Sequence, residues 1–483
     1  MHLFVVQRIL GILLMLFSLS ILPPLAISVW VSDGALFGFT DAFILTLGLG
    51  VVFWAPVSNR RQDLRVRDGF LVVVMFWGVL GLTGSLPFLF TDTSGMTITD
   101  AVFESVSGLT TTGATVINNI KQLPTSVLYY RQQLQWLGGM GIIVLAVAVL
   151  PMLGIGGMQL YRAETPGPVK DNKLTPRITE TAKALWYIYL GLTISCMLAY
   201  WMGGMKPFDA LGYAFSTVAI GGFSTHDESI GYYESTLIEM IAVVFMLLSG
   251  VNFALHFLAV RRWSLKIYLE DSEFRSYITI LAVVIILVSV ALYLMGIYGT
   301  LGESITHGLF QAVSIATTTG FTTTDYALWP NFISILLLFC SFVGGCAGST
   351  GGGIKVIRFL LLIEQGVREI NRLIHPNAEI PIRIGTKIIP LRVVEAVWGF
   401  FALYVISFVV MYLLLVSTGL DLMTSFSAVA ASINNLGPGL GGIEVNYSSL
   451  NDLVKWILCF AMLLGRLEIF TLLVLLTPAF WRK

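Results

Sequence analysis

Long apolar runs separated by short polar stretches account for most of this 483-residue chain. Runs of about twenty apolar residues, the length that crosses the hydrocarbon core of a bilayer as a helix, recur from one end to the other. The pattern therefore predicts an all-α polytopic membrane protein with ten spanning helices. The predicted spans are 9–31, 37–57, 69–90, 128–153, 184–203, 235–260, 277–298, 332–363, 393–418 and 453–478.

Four intervals between these runs share a second pattern, a short amphipathic segment followed by a Gly-containing hairpin of small and hydroxylic residues. The hairpins are SGLTTTGAT at 107–115, STVAIGGFST at 216–225, SIATTTGFTTTD at 314–325 and ASINNLGPGLG at 431–441. Their aligned glycines, Gly113, Gly222, Gly320 and Gly437, are 109, 98 and 117 residues apart. Each interval is long enough for a complete unit of helix, re-entrant loop and helix. The repetition predicts four such units around one central pore.

These units divide the chain into five parts. Residues 1–68 hold two extra transmembrane helices ahead of the pore repeats. Repeat 1 is assigned to 69–182, repeat 2 to 183–272, repeat 3 to 273–390 and repeat 4 to 391–483.

The composition excludes a soluble globular protein. Apolar residues make up 56% of the chain and charged residues 12%, and the mean hydropathy is +0.84. The first run follows Arg8 and has the alternative of a cleaved signal peptide, but it stays apolar as far as Trp30, which is too long for a cleaved apolar region. The four cysteines all fall inside predicted spans, which favours packing thiols over disulfides.

Basic residues are distributed unevenly although the net charge is zero. With the amino terminus placed in the cytoplasm, 23 of the 28 Lys and Arg residues fall on the cytoplasmic side. Lys121, Arg131, Lys206 and Lys455 then lie outside, and Arg466 lies within a span. Because cytoplasmic loops carry an excess of Lys and Arg, this distribution predicts two cytoplasmic termini and four extracytoplasmic hairpins.

An acidic residue opens each short segment that precedes a hairpin: Asp100, Asp209, Glu303 and Asp421. A carboxylate is favoured at the N-terminus of a helix, and the helix then ends with its partial negative charge beside the hairpin. Four such ends around one axis favour a cation. Hairpin carbonyl groups can replace the hydration shell of a monovalent cation, and glycine leaves the path free of side chains. The alternative, four ordinary extracellular turns, leaves the repetition unexplained.

The hairpins supply the candidate selectivity filter. Its residues are Thr111, Thr112, Gly113, Ile220, Gly221, Gly222, Thr318, Thr319, Gly320, Asn435, Leu436 and Gly437. Hydroxyl groups of the two Thr triplets, 110–112 and 317–319, are expected to support or extend the ring.

A second Gly-rich segment, GGCAGSTGGG at 344–353, interrupts the run 332–363 near the middle of the bilayer. Glycine lets the backbone move aside at low cost, and non-helical backbone at this depth has to be buried in protein or line water. The segment is therefore a candidate gate below the filter; a close-packed helix crossing is the alternative. The candidate gate residues are Gly345, Cys346, Ala347, Gly348, Ser349, Thr350, Gly351, Gly352, Gly353 and Arg466.

Arg466 is included because a basic residue in the middle of a span is costly and faces a partner or a water-filled path. Glu468 is two positions away and does not share its helix face. We place Arg466 in the pore lining, as an electrostatic barrier to cations. A salt bridge, or a cap on the carbonyl groups of the broken helix, is the alternative, and the roles are compatible.

Three other features have two interpretations each. His226 either senses cations outside the second filter or is a solvated loop residue. Lys355 either tunes conduction or is a cytoplasmic anchor. The basic stretch from Arg368 to Arg392 is either a docking surface for cytosolic partners or a lipid-facing anchor.

An enzyme is the alternative from another class, since Ser349 lies in a Gly-rich intramembrane segment, and His256 and His307 lie elsewhere in the membrane region. Neither histidine is placed to activate Ser349 as a nucleophile requires, and one active serine does not explain four repeats. The chain has no Walker motif and no cluster of metal ligands, so no organic cofactor is expected and any nucleotide binds a partner.

With these motifs the chain resembles bacterial Trk-type potassium uptake proteins, the TrkH and TrkG group of the Trk, Ktr and HKT superfamily. The resemblance is carried by the four hairpins, GGCAGSTGGGIKVIR, LQWLGGMGIIVLAVAVLP at 134–151, the stretch at 156–178 and the closing GRLEIFTLLVLLTPAFW. The resemblance covers essentially the whole chain. It implies a potassium pore in the bacterial inner membrane, formed by one chain with four repeats. It also implies that the filter glycines, the Gly-rich gate and the buried arginine fall on the residues named above.

The resemblance further implies partners. These are the potassium ion, a second copy of the chain in a homodimer, membrane lipid and a cytosolic ring of TrkA-type nucleotide-binding subunits, with no nucleic acid. Glycine at the first filter, Gly113, favours potassium, because serine there is associated with sodium transport in plant relatives. The fourth filter departs from the Thr-rich pattern with Asn434, Asn435 and Leu436, which weakens strict four-fold symmetry. Coupling to protons stays open at this point.

Overall fold

The computed structural model describes residues 2–59, 66–91, 95–144, 178–385 and 387–482, and every structural statement below refers to these ranges. Helices form nearly all of the regular structure within them. One two-stranded antiparallel hairpin, β1 (Arg383–Ile384) with β2 (Lys387–Ile388), is the exception in the described part of the chain. The predicted all-α fold is confirmed apart from this hairpin.

Three helices precede the repeats. The first apolar run folds as α1 (Leu3–Leu19) and α2 (Leu22–Val31), and the second folds as α3 (Leu36–Trp54). Helices α1 and α3 cross at two glycines, because a Cβ atom added to Gly11 would lie under 3.0 Å from the backbone of Gly50 and Trp54. Small residues at such a crossing let two membrane helices approach closely.

The order of a long helix, a short helix, a hairpin and another helix recurs in each repeat. Repeat 1 contains α4 (Val66–Thr83), α5 (Leu86–Phe90), α6 (Ile98–Leu109) and α7 (Thr125–Val144). Repeat 2 contains α8 (Ile178–Met202), α9 (Pro207–Ala219), α10 (Thr236–Ser249), α11 (Phe253–Arg262) and α12 (Lys266–Glu270). Repeat 3 contains α13 (Ser272–Leu294), α14 (Leu301–Ala316), α15 (Asn331–Val343) and α16 (Val356–Ile374). Repeat 4 contains α17 (Leu391–Ser417), α18 (Leu422–Asn434), α19 (Asp452–Arg466), α20 (Phe470–Leu476) and α21 (Pro478–Trp481).

Short 3₁₀ turns connect some of these helices. They are Ala55–Val57, Ile120–Gln122, Ser229–Tyr233 and Tyr326–Leu328.

Six helical stretches in the described ranges are long and apolar enough to cross a membrane, and each coincides with a predicted span. They are Leu3–Val31, Leu36–Val57, Arg67–Phe90, Lys183–Met202, Ser272–Leu294 and Leu391–Ser417. The predicted span 332–363 consists of α15 and part of α16 on either side of the Gly-rich segment. The predicted span 128–153 follows α7 to Val144, and residues 145–177, with nearly all of the stretch 156–178, lie outside the described residues.

Two predicted spans, 235–260 and 453–478, each consist of two helices joined at a sharp bend, which the sequence did not predict. Helices α10 and α11 meet at 94°, and α19 and α20 meet at 118°. At the second break Glu468 and Ile469 have φ of 52° and 43°, a region that non-glycine residues rarely adopt. Hydropathy shows where side chains are apolar but not whether the helix continues straight, so it could not predict either bend.

The apolar core is shared between distant parts of the chain. Leu13 of α1 and Phe103 of α6 belong to the same cluster of buried side chains as Tyr447 and Leu458 of repeat 4. The first and last repeats therefore pack together with the N-terminal helices. The four cysteines, Cys196, Cys340, Cys346 and Cys459, are buried and free, as predicted.

Candidate ion pathway

Four short helices, α6, α9, α14 and α18, carry the hairpins at their C-terminal ends. Capping boxes that include Asp100 and Glu303 close the first turns of α6 and α14. Asp421 caps α18 by accepting a hydrogen bond from the backbone N–H of Thr424 at 2.9 Å, and Asp209 lies in the first turn of α9. The acids stabilise the N-terminal ends, so the partial negative charge of each helix lies beside its hairpin.

The hairpins share one backbone conformation. The filter glycines Gly113, Gly222, Gly320 and Gly437 have φ of 81°, 79°, 81° and 88°. Two positions earlier, Thr111, Ile220, Thr318 and Asn435 have φ of 56°, 54°, 69° and 54°. The second and fourth copies thus adopt the same turn as the Thr-rich copies although their side chains differ. The four hairpins are therefore equivalent in main-chain conformation and not in side-chain identity.

The hairpins also meet in a closed ring. A Cβ atom added to a filter glycine would lie under 3.0 Å from the carbonyl oxygen that precedes the glycine of the next repeat. The four pairs are Gly113 with Gly221, Gly222 with Thr319, Gly320 with Leu436, and Gly437 with Thr112. Because the last pair returns to repeat 1, the hairpins surround a common axis in the order of the sequence. Only hydrogen fits as a side chain at these four positions.

Side-chain hydroxyl and amide groups form hydrogen bonds within and between the hairpins of the ring. Thr110 Oγ1 lies 2.7 Å from Thr112 Oγ1, and Thr317 Oγ1 lies 2.8 Å from Thr319 Oγ1. In the fourth hairpin, Asn435 Nδ2 donates to Thr112 Oγ1 at 3.0 Å. The asparagine of the divergent copy therefore connects repeat 4 to the threonines of repeat 1.

Gln135 of α7 is a filter contact that sequence reasoning missed. Its Nε2 donates to the carbonyl oxygen of Gly221 at 2.6 Å, and its Oε1 accepts from the backbone N–H of Phe223 at 3.0 Å. The side chain is fully buried. Repeat 2 lacks the Thr triplet, and this amide from repeat 1 binds its hairpin backbone instead. The motif LQWLGG at 134–139 contains the glutamine, but nothing in it indicates a partner 86 residues away.

A buried ion pair holds the first hairpin against the second. Arg131 Nε lies 2.7 Å from Glu104 Oε1, and both side chains are almost completely buried. Arg131 also donates to Thr115 Oγ1 and to the carbonyl oxygen of Ser224, each at 3.2 Å. Glu104 in turn accepts from the backbone N–H of Val116 at 3.1 Å. The pair therefore fixes the outer ends of both hairpins.

The sequence predicted that Arg131 and Lys455 lie on the extracytoplasmic side, and the structure shows that both residues are buried in the protein. Arg131 lies inside α7 and Lys455 inside α19, where its Nζ is 2.7 Å from Asp100 Oδ1. Both basic side chains are less than 5% exposed. The positive-inside count treats every non-cytoplasmic charge as a loop charge, so it does not distinguish charges that are buried behind a filter.

The outer rim carries an exposed ion pair and a partly buried histidine. Lys121 Nζ lies 3.0 Å from Glu228 Oε2, and this contact lowers the pKa of Glu228 and raises that of Lys121. The ring of His226 stacks on Tyr232 with centroids 3.6 Å apart. This stacking shows that His226 is packed rather than freely solvated, and its partial burial lowers the pKa of the imidazole.

The Gly-rich segment docks on the bend between α10 and α11. The backbone N–H of Cys346 donates to the carbonyl oxygen of Gly250 at 2.8 Å, and that of Phe253 donates to the carbonyl oxygen of Gly348 at 3.0 Å. The bend exposes main-chain groups that a continuous helix would use internally. The main-chain groups at the bend between α10 and α11 therefore form hydrogen bonds with those of the Gly-rich segment between α15 and α16.

The other side of the segment lies against three pore helices. Thr350 Oγ1 donates to the carbonyl oxygen of Val218, and the backbone N–H of Gly352 donates to Thr318 Oγ1 at 2.7 Å. The backbone N–H of Gly353 donates to the carbonyl oxygen of Asn434 at 3.1 Å. These acceptors lie at the hairpin ends of α9, α14 and α18. The structure thus brings the candidate gate residues and the candidate filter residues into contact.

Arg466 ends α19 and points at this segment. Its guanidinium donates to the carbonyl oxygens of Thr350 at 3.2 Å and Gly139 at 3.1 Å, and also to that of Gly138. Trp77 lies 5.8 Å from the guanidinium carbon. Arg466 therefore joins the Gly-rich segment to α7, which is the capping geometry that the sequence left as an alternative.

Two more charged residues contact the breaks. Glu468 pairs with Arg358 of α16 rather than with Arg466, because the chain turns sharply after Arg466. Lys355 Nζ donates to the carbonyl oxygen of Gly351 within the same segment. Lys355 therefore contacts the candidate gate directly.

The hydrolase alternative finds no support in the geometry. The ring nitrogens of His256 lie 2.8 Å from Tyr268 Oη and 2.8 Å from the carbonyl oxygen of Leu248. His307 stacks on Tyr298. In the described contacts neither histidine hydrogen-bonds Ser349.

A family model for cation transport proteins, TrkH, matches residues 35–483. The chain belongs to the TrkH family. The Trk system potassium uptake protein TrkH of Halomonas elongata is 56% identical over 483 residues, which is all of both chains, and TrkG of Escherichia coli K12 is 45% identical over 482 residues, 100% of this chain and 99% of TrkG.

A solved structure agrees with the family assignment. The crystal structure of the potassium transporter TrkH from Vibrio parahaemolyticus superposes with a TM-score of 0.91 at 53% identity and covers all of both chains. The resemblance stated from the motifs is confirmed. TrkH-family proteins are membrane transporters, so the chain is not an enzyme.

Proposed function

We propose that this chain takes up potassium ions across the bacterial inner membrane, with both termini in the cytoplasm. The closed ring of filter glycines is the observation that carries the proposal, because it places four equivalent hairpins around one axis. Relatives at up to 56% identity are named as potassium uptake proteins over the full length of the chain. We assign residues 69–182, 183–272, 273–390 and 391–483 to four pore repeats, each of which contains one filter glycine.

In this proposal a hydrated ion enters from the extracytoplasmic mouth and loses water among the carbonyl groups of the filter residues named above. The C-terminal ends of four pore helices favour its positive charge. An inward-negative membrane potential adds about 2.3 kcal/mol per charge per 100 mV. Gly113 favours potassium because a larger residue there would displace the neighbouring carbonyl oxygen of Gly221.

The Gly-rich segment 344–353 and Arg466 act as the gate. Contacts of the segment with the ends of α9, α14 and α18 support this role, because a segment in that position obstructs the path from the filter to the cytoplasm. Arg466 holds the segment through Thr350 and adds a positive charge that repels cations. Displacement of the segment opens the path.

The chain acts as a homodimer with TrkA-type nucleotide-binding subunits on its cytoplasmic side. Helix α16 supports a protein partner, because Ile363, Val367, Ile370 and Leu373 are between 49% and 84% exposed on an amphipathic helix. Basic residues of the same region, Arg368 to Arg392, then face cytosolic subunits or lipid headgroups. Potassium is the transported ion, and no organic cofactor is assigned to this chain.

Rubidium flux into liposomes that contain the purified chain tests the proposal. We expect rubidium uptake that sodium inhibits weakly, that Gly113→Ser makes less selective and that deletion of 346–351 increases. Absence of flux from folded protein, both alone and after addition of the cytosolic subunit, would contradict a conduction function. If the deletion leaves the flux unchanged, the segment is not the gate, but the proposed potassium conduction is not contradicted.

A further inference from the structure

Glu273, the second residue of α13, is a buried carboxylate that neither the filter nor Arg466 uses. Its side chain is 8% exposed. Oε1 accepts two backbone hydrogen bonds, from the N–H of Ala347 at 2.7 Å and from the N–H of Ile357 at 3.2 Å. One oxygen atom thus contacts the middle of the Gly-rich segment and the first turn of the helix that follows it.

The second contact supplies a cap that α16 does not provide for itself. The first N–H groups of a helix have no partner within the helix, and Lys355, which precedes α16, makes no side-chain capping bond. The carboxylate of Glu273 occupies this position from another helix. A carboxyl oxygen at this position satisfies a backbone N–H group that would otherwise lack a partner.

The first contact restrains the part of the segment that has the fewest side chains to hold it. Between Gly344 and Gly348 the segment is otherwise bound through main-chain atoms, by Cys346 to Gly250 and by Gly345 to Val356. Positive donors hold the far half, since Arg466 and Lys355 bind the carbonyl groups of Thr350 and Gly351. Glu273 supplies a side-chain acceptor for the half of the segment between Gly344 and Gly348.

We propose that Glu273 is a positioning residue that holds the segment 344–353 below the filter. Withdrawal of the segment breaks the hydrogen bond from Ala347, whereas loss of the Glu273 side chain would free both the segment and the first turn of α16. The expected effect of Glu273 on ion flux rests on the proposed function of the segment as a gate. The expected effect of Glu273 on the position of the segment does not depend on that proposal.

Cys346 reports the position of the segment directly, because it lies inside the segment and is 1% exposed. The test uses the full chain in liposomes with Cys196, Cys340 and Cys459 replaced by serine, and it measures the rate at which a water-soluble maleimide modifies Cys346. We expect Glu273→Ala to raise this rate by about tenfold or more, since two backbone hydrogen bonds to its side chain are lost. Rubidium flux should rise in the same variant.

Two variants serve as controls. Glu273→Gln retains an acceptor oxygen but not the charge, so it should restore most of the protection and provides a second test if Glu273→Ala does not fold. Glu270→Ala removes an exposed carboxylate three residues away and should leave the rate unchanged.

The outcomes separate the inference from the proposed function. Unchanged Cys346 reactivity in folded Glu273→Ala, or equal reactivity in Glu273→Ala and Glu270→Ala, would overturn the positioning role. Increased reactivity without increased flux would support the positioning role and remove the gate from the proposed function.

Discussion

At the scale of single residues, the four hairpins of the candidate filter share a main-chain conformation although their side chains differ. Ile220 and Asn435 have nearly the same φ as Thr111, although one is apolar and another is an amide. The positions that tolerate no change are the glycines, where a positive φ and a neighbouring carbonyl oxygen both exclude a side chain. A filter that uses main-chain atoms can therefore vary its sequence between repeats.

Gly222→Ala should reduce rubidium flux at least tenfold. The substitution adds a strained backbone worth about 1–3 kcal/mol and a contact under 3.0 Å with the carbonyl oxygen of Thr319. Gly191→Ala is the matched control, because Gly191 lies in α8 with nothing within 4 Å of an added Cβ. Equal flux from the two variants would show that conduction does not need the close packing of the ring.

The buried pair Arg131–Glu104 should contribute much more stability than the exposed pair Lys121–Glu228. Arg131→Gln leaves Glu104 as an uncompensated buried charge, which costs about 3–5 kcal/mol, whereas Lys121→Gln changes a pair that water screens. Thermal unfolding of the purified variants measures the difference. A lower midpoint for Lys121→Gln than for Arg131→Gln would contradict the assignment of Arg131 as the support of two hairpins.

At the scale of elements, the pore helices are short and cannot be stable on their own. Helix α14 runs from Leu301 to Ala316 and α6 from Ile98 to Leu109, near the lower limit for an isolated helix. Capping boxes at Thr97 and Thr300 compensate by satisfying main-chain N–H groups at the entrance of each helix. The caps therefore hold the helices whose C-terminal ends lie beside the hairpins.

Thr300→Ala should lower the stability of the protein by about 1 kcal/mol, since it removes the acceptor for the backbone N–H of Glu303. Thr300→Ser keeps the hydroxyl group and should leave the midpoint of thermal unfolding near that of the original protein. If alanine and serine give the same midpoint, the cap does not stabilise α14.

At the scale of the whole molecule, contacts between the first and last repeats close the ring of hairpins. Asn435 and Tyr447 of repeat 4 bind Thr112 and Thr115 of repeat 1, and Lys455 binds Asp100 across the same junction. The ring is therefore closed where the chain is most distant in sequence. Each junction uses different residues, because a single chain has no symmetry to preserve.

The proposed orientation places Lys121 outside and Trp263 in the cytoplasm, and both side chains are exposed. In intact cells a membrane-impermeant maleimide should label Lys121→Cys, and it should label Trp263→Cys only after permeabilisation. The native cysteines are buried and provide a low background. The reverse labelling pattern would invert the topology.

Much of the candidate site was predictable because it repeats. Four glycines at similar intervals, each after an acid and a short amphipathic segment, indicate one structure used four times, and the ring of Gly113, Gly222, Gly320 and Gly437 agrees with that prediction. The Gly-rich segment and Arg466 were also visible, because glycine clusters and basic residues are rare inside apolar runs. Gln135, Glu273 and the burial of Arg131 were not visible, because one Gln, Glu or Arg in a helix has no distinctive local pattern.

By itself, the sequence indicated which segments are apolar enough to cross a membrane, how often the short helix and hairpin recur and which glycines lie in the hairpins, since run length and the absence of a side chain are local properties. Only the tertiary structure decided where α10–α11 and α19–α20 break and which charges are buried. Those outcomes depend on partners far away in the chain, such as Lys455 with Asp100 and Glu273 with Ala347. A hydrogen bond or an ion pair is a property of two positions, and folding brings them together.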